Sequence, residues 1–293
     1  MKINIIGAGM AGLLASHMLR RHEVTIFERQ KELPNNHHAV LRFRSPGVGN
    51  MLGIPFRKVD MLKTYVPYNN IVADSLSYSE KCTGKYLSDR SIIAGTTHAE
   101  RYIAPPYFIK AMAEDANIVY DKNIIFSDGK LAEPMISTIP MPELMRLLNY
   151  VPIPKFESKP GMVFTGRILD CDAFVSILFP NPDIPYSRAT ITGDQLIIEF
   201  PGITETPEIL DMAEVYHYLG LYNAVVVDAK FEKQQYFKIT EISESVRKNF
   251  QRLATVNYNI YSLGRYATWR PKLLLDDLID DVRKIEGWIM GEK

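Results

Sequence analysis

The sequence predicts an α/β protein in which a parallel sheet with flanking helices is combined with a second region rich in β-strands. Three observations lead to this prediction. A β-branched run, Lys2–Ile6, continues directly into a glycine-rich turn and a helix. A second sequence of strand and glycine turn occurs at Tyr258–Gly264, and an antiparallel hairpin is expected between the two at Ser187–Phe200.

The first turn carries three glycines in the spacing GxGxxG, at Gly7, Gly9 and Gly12. In this pattern the first glycine permits a tight turn, the second lets a pyrophosphate approach the backbone, and the third lets the helix pack closely on the strand. A pyrophosphate at such a turn meets unpaired N–H groups and the positive end of the helix dipole. The pattern therefore predicts a Rossmann-like dinucleotide site.

A second strand, Glu23–Phe27, follows the helix and ends at Glu28. Glu28 lies about 20 residues after the first glycine, where the fingerprint places a carboxylate that accepts hydrogen bonds from ribose hydroxyls. Because strand, turn, helix, strand and acid occur in this order, a purely structural glycine turn is the less favoured interpretation.

The composition bounds the possible partners. Lys and Arg number 34 and Asp and Glu also 34, so no global field attracts nucleic acid or an anionic membrane. The two cysteines, Cys82 and Cys171, are far apart and lack metal-ligand spacing, which favours unpaired thiols in a reducing compartment. Because no leader segment and no run of about 18 apolar residues is recognisable, we expect a cytoplasmic protein with a small-molecule substrate. The oligomeric state stays open.

Two cations, Arg42 and Arg44, follow the ribose-binding acid and share one face if this segment is a strand. Their forked guanidinium groups suit a pyrophosphate or an anionic substrate. A solvated pair on an exposed strand is the alternative, and it remains open. His37 and His38 have no carboxylate or cysteine at ligand spacing, so no metal site is predicted.

The middle of the chain shows less regular periodicity. The elements expected there are an irregular excursion at Met51–Gly95, a helix from Pro105, a hairpin over Asn123–Met135 that turns at Asp128-Gly129, a buried strand at Ile136–Pro140 and a helix from Pro142.

The β-rich block contains the clearest hairpin, Ser187–Thr192 and Gln195–Phe200 joined by two residues. The two-residue loop fixes the register and places Arg188 opposite Glu199. An exposed pair of this kind contributes about 0–1 kcal/mol. If the same face lines a cavity, Arg188 is a candidate anchor for a substrate anion, and both interpretations stay open.

The last third of the chain returns to alternating elements. These are a helix from Thr206 to near Gly220, a strand at Asn223–Phe231, a helix at Ser243–Leu253, a strand at Tyr258–Leu263 and a final helix that includes Leu274 and Leu275. The turn at Gly264 is either a second anion-facing turn or a plain connection with an exposed Arg265.

The segments IIGAGMAGLLASHML…VTIFER, ISTIPMPEL and YSLGRYATWRP together resemble the FAD flavoproteins with two dinucleotide-binding domains, a group that includes amine oxidases, UDP-galactopyranose mutases and aromatic hydroxylases. The resemblance implies FAD as the cofactor. Glu28 matches the acid at the adenosine ribose, Ile124 the position near the adenine, and Gly264 the turn near the pyrophosphate and the flavin. The candidate cofactor-binding residues are Gly7, Gly9, Met10, Ala11, Gly12, Glu28, Arg29, Arg42, Ile124, Gly264 and Arg265.

Within this group the motifs do not agree on one branch. GRYATW and PYSRATITGDQLIIEFPG are most like mutases and amine oxidases, whereas LRFRSPGV is closer to aromatic hydroxylases. The histidine- and glycine-rich segment that faces the flavin in the mutases has no match in the chain. The resemblance therefore implies FAD binding without implying a substrate.

Three functional hypotheses follow. The first is an FAD-dependent oxidoreductase acting on a small polar substrate, the second a mutase or lyase that uses flavin without net redox change, and the third an FAD- or NAD-binding protein without catalysis. The expected FAD domain comprises residues 1–50, 100–148 and 252–293, and the substrate domain 51–99 and 149–251, with the flavin where they meet. The candidate catalytic residues are Arg44, Arg188 and Trp269, the last of which is alternatively a packing residue under the final helix.

Overall fold

The computed structural model of the chain describes residues 1–33, 42–87, 91–126, 129–205 and 212–291. The helices in these ranges are α1 (Met10–Met18), α2 (Gly47–Leu52), α3 (Ile71–Thr83), α4 (Phe108–Glu114), α5 (Met141–Leu147), α6 (Met212–Tyr218), α7 (Glu244–Tyr258) and α8 (Leu278–Met290). None of them is both long and apolar enough to cross a membrane.

Sheet A has five parallel strands in the order β13-β7-β1-β2-β6. They are β1 (Lys2–Ile6), β2 (Glu23–Phe27), β6 (Ile118–Val119), β7 (Met135–Ser137) and β13 (Ile260–Ser262). The central strand β1 is covered on both faces: Ile3 and Ile5 on one face are fully buried, and Ile6 on the other face is buried in a second core. The carboxyl ends of the central strands therefore meet at one edge, where β1 continues into the glycine turn.

Sheet B has eight strands in the order β12-β8-β11-β10-β9-β4-β5-β3. They are β3 (Arg42–Phe43), β4 (Arg57–Tyr65), β5 (Thr97–Ile103), β8 (Ser158–Ile168), β9 (Ala173–Leu178), β10 (Arg188–Gly193), β11 (Gln195–Pro201) and β12 (Val226–Ile239). The predicted hairpin is β10–β11, and its register is confirmed, with Arg188 opposite Glu199 and Thr190 opposite Ile197.

The two faces of sheet B differ in chemistry. One face supplies the apolar core of Phe164, Ala189, Ile191, Ile198 and Phe200, against which α6 packs through Val215. Since successive residues of a strand point to opposite faces, the other face carries the alternate positions of the same strands. Those positions are largely polar or charged.

A cluster of three aromatic rings joins the core of sheet A to the edge of sheet B. Phe43 in β3 lies 4.8 Å from the ring of Phe56, and Phe108 in α4 lies 5.1 Å from Phe56 in an edge-to-face arrangement. Phe43 and Phe108 are both buried in the core that also contains Ile3 and Leu13. The cluster thus packs β3, at the edge of sheet B, against the core of sheet A.

Two predictions about the middle of the chain are wrong. The segment Met51–Gly95 is largely regular, because it contains β4 and α3. Asn70 caps α3 by accepting hydrogen bonds from Val72 N and Ala73 N. The hairpin predicted over Asn123–Met135 does not form in the described residues: no strand precedes β7 there. Met135 belongs to β7 and pairs in parallel with Asn4 of β1. Asp128, in the predicted turn, lies outside the described residues.

The final helix also starts later than its apolar period indicates. The chain makes a series of turns up to Asp277, whose carboxylate accepts a hydrogen bond from Leu274 N, and α8 begins at Leu278. Two other elements are longer than predicted, since β12 runs to Ile239 and α7 to Tyr258. The predicted helix start at Thr206 lies outside the described residues.

The aromatic cluster gives a stability prediction. Phe108→Ala should lower the free energy of unfolding by about 3–5 kcal/mol, because it removes a buried ring with two aromatic neighbours. The neighbouring Tyr107→Ala, which removes a side chain 55% exposed, should change it by less than about 0.5 kcal/mol. Urea unfolding of both variants measures the difference, and equal losses would contradict the proposed packing role of the cluster.

Candidate functional site

The three glycines of the turn between β1 and α1 differ in their steric surroundings. Gly7 has a φ of +97°, and a Cβ placed there would lie 2.4 Å from Thr138 Oγ1. A Cβ on Gly12 would lie 2.0 Å from the carbonyl oxygen of Gly7. At Gly9, in contrast, φ is −73° and no atom lies within 4 Å of the Cβ position. Packing within the chain therefore explains Gly7 and Gly12 but not Gly9.

The N-terminus of α1 opens at this turn. The helix begins at Met10 with Gly9 as its N-cap residue, and no side chain caps it. The first N–H groups of a helix have no acceptor within the helix. They are directed, with the positive end of the helix dipole, toward the open side of Gly9. The residues present thus fit a pyrophosphate, with Met10 and Ala11 offering backbone donors.

Glu28 lies at the end of β2, and its carboxylate is buried against the same turn. Its Oε2 accepts a hydrogen bond from Ala8 N at 2.8 Å, and its Oε1 accepts one from Gln30 N at 2.9 Å. A carboxylate has about four acceptor positions. Glu28 therefore holds the turn in place and keeps acceptor capacity for ribose hydroxyls.

The second glycine turn meets the first. Gly264 follows β13 with a φ of +97°, and its Cβ position lies 3.1 Å from Ala11 Cβ in α1. Leu263 N donates to Ser137 O, so the turn continues from the parallel pairing of β13 with β7. The structure thus brings together Gly7, Gly9, Gly12, Glu28 and Gly264, which are distant in sequence.

The other candidate residues of this site lie around it. Ile124 is half-buried and packs against the core that contains Ile6, whereas Arg29 is exposed next to Glu28. Arg265 is half-buried beside Gly264, with its guanidinium 5.8 Å from the ring centre of Tyr266.

Trp269 is placed as a packing residue. Its side chain is 1% exposed, its indole N–H donates to Thr240 O at 2.9 Å, and Phe156 packs edge-on at 4.7 Å. A ring enclosed in this way has no face left for a cofactor, so the packing alternative describes Trp269 and the catalytic one does not. The catalytic prediction for Trp269 failed for a physical reason. A turn between a strand and a helix directs some side chains inward and others outward, and the sequence alone does not determine which side chains point inward.

The three other candidate arginines lie on the side of sheet B. Arg44 is exposed, and its backbone N–H donates to Asp276. Arg42 is half-buried, and its Nη1 contacts Met61 Sδ at 3.2 Å. Burial, together with repulsion from Arg188, lowers the pKa of Arg42 to about 10. The structure therefore groups Arg42 with Arg188.

Arg188 is part of a buried ionic network. It donates to Glu199 Oε1, and Lys238 Nζ donates to Glu199 Oε2 at 2.9 Å. Burial alone would raise the pKa of Glu199, but the two cations lower it to about 2. The Glu199 carboxylate in turn raises the pKa of Arg188, whereas burial lowers that of Lys238. The network carries one net positive charge.

Several of these residues were not predicted. Thr138 shapes the turn at Gly7, and Lys63 and Lys238 lie on the same side of sheet B as Arg188. The alternation of Val59, Met61 and Lys63 within RKVDMLKTY was the available signal for a half-buried strand. No sequence signal indicated the role of Lys238, because its partner Glu199 is distant in sequence.

An open groove of about 470 Å³ runs between α7 and α8, and its lining residues include Arg252, Arg270 and Trp288 but none from the glycine turn or sheet B. Across the described ranges, no group of three or more His, Cys, Asp or Glu side chains is arranged to hold a metal ion.

Comparison with known proteins agrees with this architecture. A family model described as an NAD(P)-binding Rossmann-like domain matches residues 5–36. No curated protein sequence matches the chain. Among solved structures, a geranylgeranyl bacteriochlorophyll reductase-like protein from Thermoplasma acidophilum is similar with a TM-score of 0.60 and 12% identity, over 99% of this chain and 79% of that one.

Two further structures are similar over the whole chain. Glycine oxidase from Bacillus cereus matches with a TM-score of 0.57 and 14% identity, over 100% of this chain and 95% of that one. Aklavinone-11 hydroxylase, solved as a ternary complex with FAD and aklavinone, matches with a TM-score of 0.56 and 13% identity, over 99% of this chain and 63% of that one. The predicted α/β fold, a Rossmann-like parallel sheet combined with a second β-sheet, is confirmed.

The glycine turn generates a matched pair of variants. Gly12→Ala should destabilise the protein by about 1–3 kcal/mol, because the added methyl meets backbone that has to move. Gly9→Ala should change stability by less than about 0.5 kcal/mol, because its methyl enters open space in an allowed conformation. Urea unfolding without added ligand compares them, and a large loss for Gly9→Ala would show that Gly9 is needed for folding.

Proposed function

We propose that this protein is an FAD-dependent oxidoreductase that acts on a small polar substrate. The observation that carries the proposal is Gly9, whose open Cβ position at an uncapped helix N-terminus has no role in packing. A ligand phosphate at that place accounts for a glycine there, since any side chain would block its approach.

The surrounding residues suit FAD in the proposed assignment. Backbone N–H groups at Met10 and Ala11 would hold the pyrophosphate, Glu28 the adenosine ribose, and Ile124 the adenine edge. The turn at Gly264, which packs on Ala11, would approach the flavin end of the pyrophosphate. This second turn favours FAD over NAD, although the matching family model is named for NAD(P).

We place the isoalloxazine between the carboxyl edge of sheet A and the polar face of sheet B. Bound FAD supplies two-electron redox chemistry, so the chain itself has to bind and orient the substrate and exclude water. The division into an FAD domain of residues 1–50, 100–148 and 252–293 and a substrate domain of 51–99 and 149–251 follows the two sheets, except that β3 and part of β5 pair in sheet B. A cytoplasmic location suits the unpaired Cys82 and Cys171.

Titration of the purified protein with FAD, NAD and NADP tests the cofactor. We expect stoichiometric, non-covalent FAD binding that Gly9→Ala weakens by at least about 10-fold, the equivalent of 1.4 kcal/mol, because the methyl displaces a phosphate from backbone donors. The same variant serves as its own folding control, because its stability without ligand is expected to be unchanged. Binding of NAD without FAD would reject the assignment.

The reaction class needs a separate test. Anaerobic mixing of the FAD-loaded protein with candidate amines, nucleotides and nucleotide sugars should reveal a substrate that reduces the flavin in a stoichiometric amount, because an oxidoreductase transfers electrons to its cofactor. Product formation that requires prior reduction and leaves the flavin redox state unchanged would favour a mutase or lyase instead.

A further inference from the structure

Cationic side chains collect on one face of sheet B. Lys63 in β4 pairs with Ser176 in β9, and Ser176 pairs with Thr190 in β10. Paired residues of neighbouring strands project to the same side of a sheet. Arg188 lies two residues before Thr190 and so projects to that side as well. We call this the cationic face; it is opposite to the apolar core of sheet B.

Two more cations reach the same place from the edge of the sheet. The guanidinium of Arg42 contacts Met61 Sδ, and Met61 lies two residues before Lys63 on the same strand. Arg101 pairs with Val59, which again belongs to the cationic face. Arg42, Lys63, Arg101 and Arg188 thus come from four strands onto one surface.

The charges of the cationic face are not balanced. Within the described ranges, Glu199 is the acid that pairs with Arg188, and it is shared with Lys238. Neither Arg42 nor Lys63 forms an ion pair with a described residue, and the Arg42 guanidinium, which has five N–H donors, contacts the weak sulfur acceptor of Met61 through Nη1. Burial lowers the pKa of Lys63, and repulsion from Arg101, Arg42, Arg44 and Arg188 lowers it further.

Packing does not explain such an arrangement. Partly buried cations without counter-charges oppose folding, because they lose hydration and repel one another. The Nε of Arg188, on the same face, is buried without a hydrogen-bond partner among the described residues. An anion with several acceptor oxygens would satisfy both needs, charge and hydrogen bonding.

Two sets of contacts connect the cationic face to the elements around the proposed flavin position. Strand β12 carries Lys238 and leads to Thr240, whose carbonyl accepts the indole N–H of Trp269. Trp269 belongs to the turn that starts at Gly264, and this turn packs on α1. At the other side, Phe43, which follows Arg42, is buried in the core of sheet A.

We propose that Arg42, Lys63 and Arg188 bind the anionic oxygen group, a carboxylate or a phosphate monoester, of the substrate. The inference rests on the proposed function, because it names the substrate class for the same flavin site. Glu199 is a positioning residue, since it fixes the guanidinium of Arg188 from one side and leaves Nε for the ligand. The forked guanidinium groups suit paired oxygens, and Lys63 adds a compact charge.

The test uses the FAD-loaded protein at constant ionic strength. Benzoate and phenyl phosphate are the anionic probes, benzyl alcohol is the neutral one, and the flavin difference spectrum reports binding. We expect saturable binding of at least one anion and none of benzyl alcohol at equal concentration. The tighter anion identifies a carboxylate or a phosphate substrate. Equal responses to benzoate and benzyl alcohol would overturn the proposal.

Matched variants locate the site. Lys63→Gln and Arg42→Gln should each weaken binding of the anion by roughly 10-fold or more, as expected for loss of a charged hydrogen bond. Lys58→Gln removes the same charge from the same strand but from its other, exposed face, and should change binding less than about twofold. Equal effects of Lys63→Gln and Lys58→Gln would overturn the proposal, as would loss of FAD affinity in Lys63→Gln, because that residue would then bind the cofactor.

Measurements of FAD uptake and of anion binding separate this proposal from the proposed function. If the protein takes up no FAD, the function is wrong, and equilibrium dialysis of phenyl phosphate and benzoate with the FAD-free protein tests the cationic face by itself. If FAD binds and neither anion does, the function stands and the substrate class proposed here is wrong.

Discussion

The close contact between α1 and β1 is the constraint on which the rest of the structure depends. Because Gly12 lacks a side chain, the helix approaches the carbonyl of Gly7 and its N-terminus lies at the carboxyl edge of sheet A. Ala11 then meets Gly264, so the last strand of the sheet and the first turn share one small surface. Glu28, at the end of β2, accepts a hydrogen bond from Ala8 N and so holds the same turn.

Sheet B complements this arrangement through charge. Sheet A offers backbone donors and a helix dipole, which attract a phosphate without a formal charge on the protein. Sheet B offers side-chain cations whose charge is only partly neutralised by Glu199. The zero net charge of the whole chain conceals this local excess. In the proposed function the flavin lies between these two anion-attracting surfaces.

Sequence predicted the parts that local chemistry determines. The glycine turn and the register of Arg188 opposite Glu199 follow from spacings of a few residues, and the structure agrees with both. The strand β7 was partly mistaken for a hairpin because its pairing with β1 joins residues far apart in sequence. Trp269 and Lys63 were misjudged or missed for a related reason: burial and repulsion depend on neighbours that only the fold supplies.

A crystal structure of the protein with FAD bound tests the proposed site directly. We expect pyrophosphate oxygens within hydrogen-bond distance of the backbone N–H groups at Met10 and Ala11, and ribose hydroxyls on the Glu28 carboxylate. FAD bound elsewhere, for example in the groove between α7 and α8, would contradict the proposed site, as would a pyrophosphate that contacts neither the glycine turn nor Glu28.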